Sequence, residues 1–209
     1  MAVLAPHESA LHVLLARLAA GPFAGWRALP GGRVQAGETL DDAAARELAA
    51  HSGLADPYLE QLYTFGSPER DPRGHVVSVA YLGLTPMRAV AESGPAGKYA
   101  ALEWHPVAAL PRLAYDHGAV VASAVARLQA KLRYTNLAYA LLDETFTLAD
   151  LQSVYESVLG RHLDRRNFRK KILALGWLRA LGRKRRGPHR PASLYVFRDR
   201  SPREVDVLR

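Results

Sequence analysis

The stretch Leu29-Pro30-Gly31-Gly32-Arg33-Val34-Gln35-Ala36-Gly37-Glu38 constrains this chain more than any other. A Pro-Gly-Gly turn leads into a helix whose start is written in the next residues. Thr39 can cap it through its hydroxyl, and Asp42 three residues on completes a capping-box-like pair. Asp41 and Asp42 also sit in the first turn, where the helix dipole favours anions. Gly53 stands where a left-handed cap usually ends a helix. Residues 47, 50 and 51 are spaced i, i+3 and i+4, so they are neighbours on one helix surface. Three carboxylates there would make the dense patch of oxygen ligands that Mg²⁺ demands. This chain has Glu47, Ala50 and His51 instead, so the formal charge at those sites is −1 rather than −3. Histidine nitrogen is a poor partner for a hard cation. A loop–helix–loop is therefore expected, without a three-carboxylate patch at residues 47, 50 and 51. The plain alternative is an ordinary helix with a glycine stop.

With Gly32, Glu38, Arg46-Glu47-Leu48 and Gly53-Leu54 in that register, the stretch resembles the Nudix box. That box binds a divalent metal and a diphosphate. The resemblance implies a pocket that still takes a nucleotide-like diphosphate but has lost most or all hydrolysis, with no catalytic residue, no metal ligand and no required cofactor. The expected ligand-binding residues are Trp26, Arg27, Gly32, Arg33, Glu38, Arg46 and Glu47. In Nudix proteins that bind adenosine diphosphate sugars, aromatic groups near this point often sandwich the adenine, which makes Trp26 and Phe23 candidates; a core position is the favoured reading for either. Arg27 and Arg33 flank the glycine turn and can reach phosphates or remain solvated.

Composition narrows the class. The 209 residues suffice for one large domain or two small ones with a real core. There is no cysteine, which removes disulfides, thiol catalysis and Cys-based zinc sites. No apolar run approaches the roughly 18 residues of a membrane span. The start of the chain lacks the pattern of an export signal, so a cytoplasmic protein is expected. The net charge of +8 is uneven: residues 1–130 carry −2 and residues 131–209 carry +10. Such asymmetry suggests a second module that meets a polyanion, or a basic surface that is simply solvated.

In chain order, residues 2–5 and 11–18 read as strands around a turn at residues 6–9. Residues 58–65 and 75–84 read as strands, the second rich in β-branched and aromatic residues. Residues 89–98 read as a variable loop, 101–104 as a strand and 107–110 as a turn of helix. Several strands with few helices indicate a mixed α/β sandwich.

Tyr63-Thr64-Phe65-Gly66, Arg70-Asp71-Pro72-Arg73-Gly74, Ser78-Val79-Ala80-Tyr81 and Leu113-Ala114-Tyr115-Asp116-His117 together resemble one Nudix group. These are the Nudix-related transcriptional regulators of NAD metabolism, the NrtR family. The resemblance runs from about residue 13 to residue 198. It implies a Nudix-type mixed-sheet α/β/α sandwich followed by a C-terminal winged helix-turn-helix domain. It also implies ADP-ribose or a related NAD-derived nucleotide as effector. Arg70 and Arg73 join the ligand-binding candidates because Arg presents a bidentate fork to diphosphate oxygens. The same residues also fit a salt-bridged turn. Asp116-His117 can touch the ligand or cap the helix that follows.

That helix is expected over residues 118–133, with Val120, Val121, Ala124, Val125, Leu128 and Leu132 at helical spacing. It would close a sensing domain of residues 1–133 and connect it to a DNA-binding domain of residues 134–209. A further helical segment is expected over 135–142. Thr147 and Asp150 mark a capped helix ended by Gly160, and Asp164 caps a third, stopped by Gly176. Phe168, Ile172 and Leu175 form the third helix's inward stripe, with basic residues opposite. That is the logic of a recognition helix in a major groove. Residues 177–181 and 193–197 read as a hairpin whose tip is basic. The DNA-binding candidates are Arg165, Arg166, Asn167, Arg169 and Lys170 on the helix, and Arg183, Lys184, Arg185, Arg186 and Arg190 on the wing. The whole reads as a ligand-responsive transcriptional repressor, acting as a homodimer on a palindromic double-stranded operator, without a membrane. The rival readings are an active ADP-ribose-type hydrolase with a nucleic-acid-binding tail and an RNA-binding adaptor.

Overall fold

A computed structural model describes residues 1–52, 57–86, 98–186 and 191–204, the side chains of 51 and 52 excepted. The chain divides into two compact units, Met1–Ala5 with Leu11–Arg127 and Pro6–Ala10 with Leu128–Arg209.

In the first unit, strands β1 (Ala2–His7), β2 (Ala10–Leu18), β3 (Arg27–Ala28), β4 (Tyr58–Phe65), β5 (Ser78–Leu84) and β6 (Tyr99–Pro106) form one six-stranded sheet. Its order is β3-β2-β1-β5-β4, with β6 also paired to β2. β1 and β5 run parallel, while β2 with β3, β2 with β6, and β4 with β5 are antiparallel. The sheet is therefore mixed, as the family resemblance implied. Ala2, Val3, Leu4 and Ala5 are all fully buried, so β1 is covered on both faces. The turn between β1 and β2 is tighter than expected. Only Glu8 and Ser9 make it, both with positive φ (44° and 67°), a geometry whose twist suits a hairpin.

Helix α1 (Leu40–Ser52) sends Leu48 into a core with Val3 and Leu14, against which Leu59, Leu102 and Trp104 pack. Thr39 caps it as expected: its Oγ accepts the Asp42 N–H at 3.1 Å and its hydroxyl donates to the Asp42 carboxylate at 2.6 Å. Gly53, the expected stop, lies outside the described residues, as does the expected loop up to Lys98. The strand expected from residue 75 begins only at Ser78, because the His75 ring bonds the Gly66 carbonyl at 3.0 Å and holds the approach as a turn. Val76 and Val77 are left exposed.

Helix α2 (His117–Lys131) buries Val120, Val121, Ala124 and Leu128, the stripe read from its period. It starts one residue earlier and ends two earlier than expected. The division between the units falls within it.

In the second unit the expected helical segment after α2 is a five-residue 3₁₀ turn, Leu137–Leu141, buried throughout. A strap of the chain beyond residue 198 holds it. Asn136 accepts the Arg203 N–H at 2.8 Å and donates to the carbonyls of Asp199 and Ser201, while Arg200 donates to those of Tyr139 and Leu142. Then come β7 (Phe146–Thr147), α3 (Leu148–Leu159), α4 (Arg165–Ala174), β8 (Leu178–Arg185) and β9 (Ala192–Phe197), the strands ordered β7-β9-β8. Both bonds of the capping box form: Asp150 N–H to Thr147 Oγ at 3.2 Å and Thr147 N–H to the Asp150 carboxylate at 2.8 Å. Gly160 takes φ 64° at the end of α3, a left-handed cap open to glycine at no steric cost. Among the described residues no helix is long and apolar enough to cross a membrane.

Candidate ligand pocket and nucleic-acid interface

In the first unit a cavity of about 800 Å³ opens between the Leu29–Val34 loop, α1, the Arg70–Arg73 turn, β5 and the start of α2. The loop is held bond by bond. The Leu29 N–H donates to His117 Nδ1 at 2.9 Å. The Tyr99 hydroxyl accepts the Gly31 N–H and donates to the Gly31 carbonyl, both at 2.9 Å, and the Lys98 ammonium donates to the same carbonyl. Gly32 is required by close approach: a Cβ there would lie 2.0 Å from the Glu47 carboxyl carbon. Gly32→Ala must push Glu47 off Arg46, and overpacking of this kind costs about 1–3 kcal/mol. Thermal unfolding is expected to show that loss. A variant as stable as its parent would mean that Glu47 swings clear freely.

The acidic face of the box is neutralised from within. Arg46 donates to Glu38 at 2.6 and 3.0 Å, to Glu47 at 2.6 Å and to the Arg33 carbonyl at 3.1 Å. The bond from Arg46 holds the Glu38 carboxyl below the usual carboxylate range. Lys98 lies 3.5 Å from the other Glu47 oxygen. Burial pushes the Tyr99 phenol up to about 12, so it stays protonated and can donate.

Across the cavity, Arg70 is buried and donates to both Asp116 oxygens at 2.9 and 2.7 Å and to the Ser78 hydroxyl at 2.6 Å. Arg73 grips Asp71 at 2.9 and 2.6 Å, which pulls the Asp71 carboxyl down to about 2. The salt-bridged turn is thus present. Arg73 remains largely exposed and its guanidinium also stands 5.8 Å from the Tyr115 ring centre. His117 is partly buried at the head of α2; desolvation first, then the charge of the terminal ammonium, lowers its pKa to about 3. It is neutral and accepts.

Of the residues read from sequence, Gly32, Arg33, Glu47, Arg70 and Arg73 line the cavity. Glu38 and Arg46 brace it through Glu47. Trp26 packs edge-on against Phe23, with Arg112 4.6 Å above its ring. Arg27 is tied to Glu103 at 3.1 Å. Sequence reasoning missed Lys98 and Tyr99, which no motif marks, and gave no site role to Ser78, although it stands in one of the stretches that carry the family resemblance. For Asp116 it left ligand contact and capping open; the carboxylate's bonds go to Arg70.

In the second unit α4 is anchored by Asp164, whose carboxylate accepts the Asn167 N–H at 2.8 Å. Ile172 is buried and Phe168 packs edge-on against Tyr155. Leu175, expected in the same stripe, is 39% exposed, because α4 ends at Ala174 and the chain turns away. Arg165, Arg166, Asn167, Arg169 and Lys170 are all exposed. Arg183, Lys184, Arg185 and Arg186 are exposed along the hairpin, although Arg185 pairs with Asp150 at 2.9 Å. Arg190 lies outside the described residues.

Comparison with known proteins assigns both units. Residues 1–125 match the NUDIX domain and residues 138–197 match the NrtR DNA-binding winged helix domain. An ADPR responsive transcriptional repressor from Acinetobacter baylyi is 34% identical over 94% of this chain and 80% of its own length. The chain belongs to the NrtR family. NrtR from Shewanella oneidensis, solved in complex with a 27mer DNA, superposes with a TM-score of 0.82 at 33% identity, covering 94% of this chain and 90% of that one. The Nudix domain of the same Shewanella NrtR, solved with ADP-ribose, superposes with a TM-score of 0.55 at 33% identity, over 61% of this chain and 84% of that one. An ADP-ribose pyrophosphatase from Methanocaldococcus jannaschii is 38% identical over 52% of this chain and 63% of its own length.

Nudix enzymes imply a divalent cation, and in this NrtR protein the donor set does not fit one. Glu38 and Glu47 share Arg46, Lys98 stands beside Glu47, and Ala50 brings no donor atom. Mg²⁺ needs near-octahedral oxygen ligands, and these two carboxylates are already answered by fixed positive charges.

Proposed function

We propose that this chain is a transcriptional repressor that binds duplex DNA through α4 and the β8–β9 hairpin. Its DNA affinity answers to ADP-ribose or a related NAD-derived nucleotide bound in the Nudix cavity. The observation that carries this reading is the match to an ADPR-responsive repressor across both units rather than across the Nudix unit alone. The geometry supports it. The box keeps the shape of a diphosphate site while Arg46 occupies both of its carboxylates, so nucleotide binding is retained and hydrolysis is not. The ligand residues are Gly32, Arg33, Glu47, Arg70 and Arg73 at the cavity, with Trp26, Arg27, Glu38 and Arg46 around it. α4 supplies base-edge contacts through Arg165, Arg166 and Asn167, and phosphate contacts through Arg169 and Lys170. The functional division places residues 1–133 with the sensor and 134–209 with the DNA-binding part. The protein works in the cytoplasm as a homodimer on a palindromic operator, since two-fold symmetry in the protein calls for it in the site. Ligand must bind the DNA-competent and DNA-incompetent states with different affinity, or it would shift nothing.

The test is selection from a random duplex library, with and without ADP-ribose. An enriched inverted repeat whose affinity changes with ADP-ribose is expected. Enrichment of no motif, with single-stranded RNA bound as tightly, would replace this reading by an RNA adaptor. The hydrolase reading draws on the Methanocaldococcus relative. Turnover of ADP-ribose with Mg²⁺ on the order of 1 per second or faster would establish it.

A further inference from the structure

We infer that Lys98 takes the place of the divalent cation, so that the cavity binds its diphosphate ligand without a metal. The inference rests on the reading of the cavity as a nucleotide site. The Lys98 ammonium stands between the Gly31 carbonyl, to which it donates, and a Glu47 carboxylate oxygen 3.5 Å away. A backbone carbonyl beside a carboxylate is the kind of hard oxygen pair that holds Mg²⁺. Here the first cationic atom to reach the pair is covalently part of the chain. The other Glu47 oxygen takes Arg46 at 2.6 Å, so this carboxylate is flanked by two fixed positive charges. A dication entering would be repelled by both and would have to break both pairs.

The same arrangement suits an anion. An ammonium carries three N–H donors. The Gly31 carbonyl takes one and Glu47 pairs with the ammonium by charge at 3.5 Å, so among the described residues donor capacity is left for a phosphate oxygen. The Lys98 side chain is 50% exposed and lines the cavity, so the ligand can reach it. Tyr99, whose ring lies 5.2 Å from the ammonium, and its two bonds to Gly31 fix the stem from which Lys98 extends. The charge that a metal would bring to a diphosphate is thus supplied by Lys98. A sensor built this way reports nucleotide concentration independently of free Mg²⁺.

Calorimetric titration of ADP-ribose into the full-length protein tests this, once in EDTA and once in excess MgCl₂. Equal affinity in the two buffers is expected. Lys98→Gln should weaken binding in EDTA roughly tenfold or more, the loss of one charge-assisted hydrogen bond, and Lys98→Arg should recover most of it. Binding by the parent protein only when Mg²⁺ is present would overturn the inference and leave the nucleotide reading standing. Undiminished binding by Lys98→Gln in EDTA would also overturn it. No binding by the parent protein in either buffer would remove the nucleotide reading and this inference together.

Discussion

Alanine at Arg165, Arg166, Arg169 and Lys170 together is expected to weaken operator binding about a thousandfold while leaving the fold intact. A good bidentate contact to a base contributes about 1–3 kcal/mol, and each phosphate contact adds a counterion-release component. Four cations at about 1 kcal/mol apiece give about 4 kcal/mol, which is three factors of ten. The slope of log affinity against log salt should also flatten, by about 0.9 for each phosphate contact removed. The fold should tolerate the change because none of the four side chains is buried. What holds α4 is elsewhere: the Asp164 cap, buried Ile172 and the contact of Phe168 with Tyr155. Alanine is in addition the better helix former. Fluorescence anisotropy at several salt concentrations, paired with thermal unfolding, gives both halves of the result. Unchanged operator affinity with a normal melt would move DNA recognition off α4. Arg185 is a weaker candidate than its neighbours, because it must first leave Asp150.

The contrast between α4 and the pocket shows which kinds of information a sequence displays. The capping box of α3, the Asp164 cap, the glycine stop at residue 160 and the stripe of α2 involve partners a few residues apart, and all were legible. That Ala50 and His51, and not carboxylates, stand one turn beyond Glu47 was visible too, since it needs only the sequence. The bonds that shape the cavity join distant residues. Arg70 meets Asp116 across 46 positions, Tyr99 meets Gly31 across 68 and His117 meets Leu29 across 88. No local pattern encodes such pairs. Lys98 looked like the end of a variable loop because its partners come from the box and not from its neighbours. Leu175 failed for the opposite reason. The periodic stripe continued on paper past the point where the helix itself stopped.

Lowering the pH from 7 to 5 is expected to destabilise the first unit, with two contributors: the Met1 terminal amine, lowered by burial to about 5, and His117. In the unfolded chain its imidazole titrates near 6.5, whereas in the fold burial brings it to about 3. Between those values the unfolded state holds a proton that the folded state does not. The His117 contribution is then complete above about pH 6.5 and falls as the pH drops toward 3. The slope is about 1.4 kcal/mol per pH unit for one group, or about 2 kcal/mol by pH 5. Asp71 does not share this window, because a carboxyl held at about 2 loses its contribution only below the ordinary carboxylate range. Around His117 the Leu29 N–H already donates to Nδ1, the Met1 terminal ammonium and then the Arg70 guanidinium repel a proton, and the Asp116 carboxylate, bound to Arg70, opposes them in part. His117→Asn keeps an acceptor for the Leu29 N–H and removes the titration, so its melting temperature should change less over the same pH range. Equal losses in parent and variant would place the acid sensitivity elsewhere.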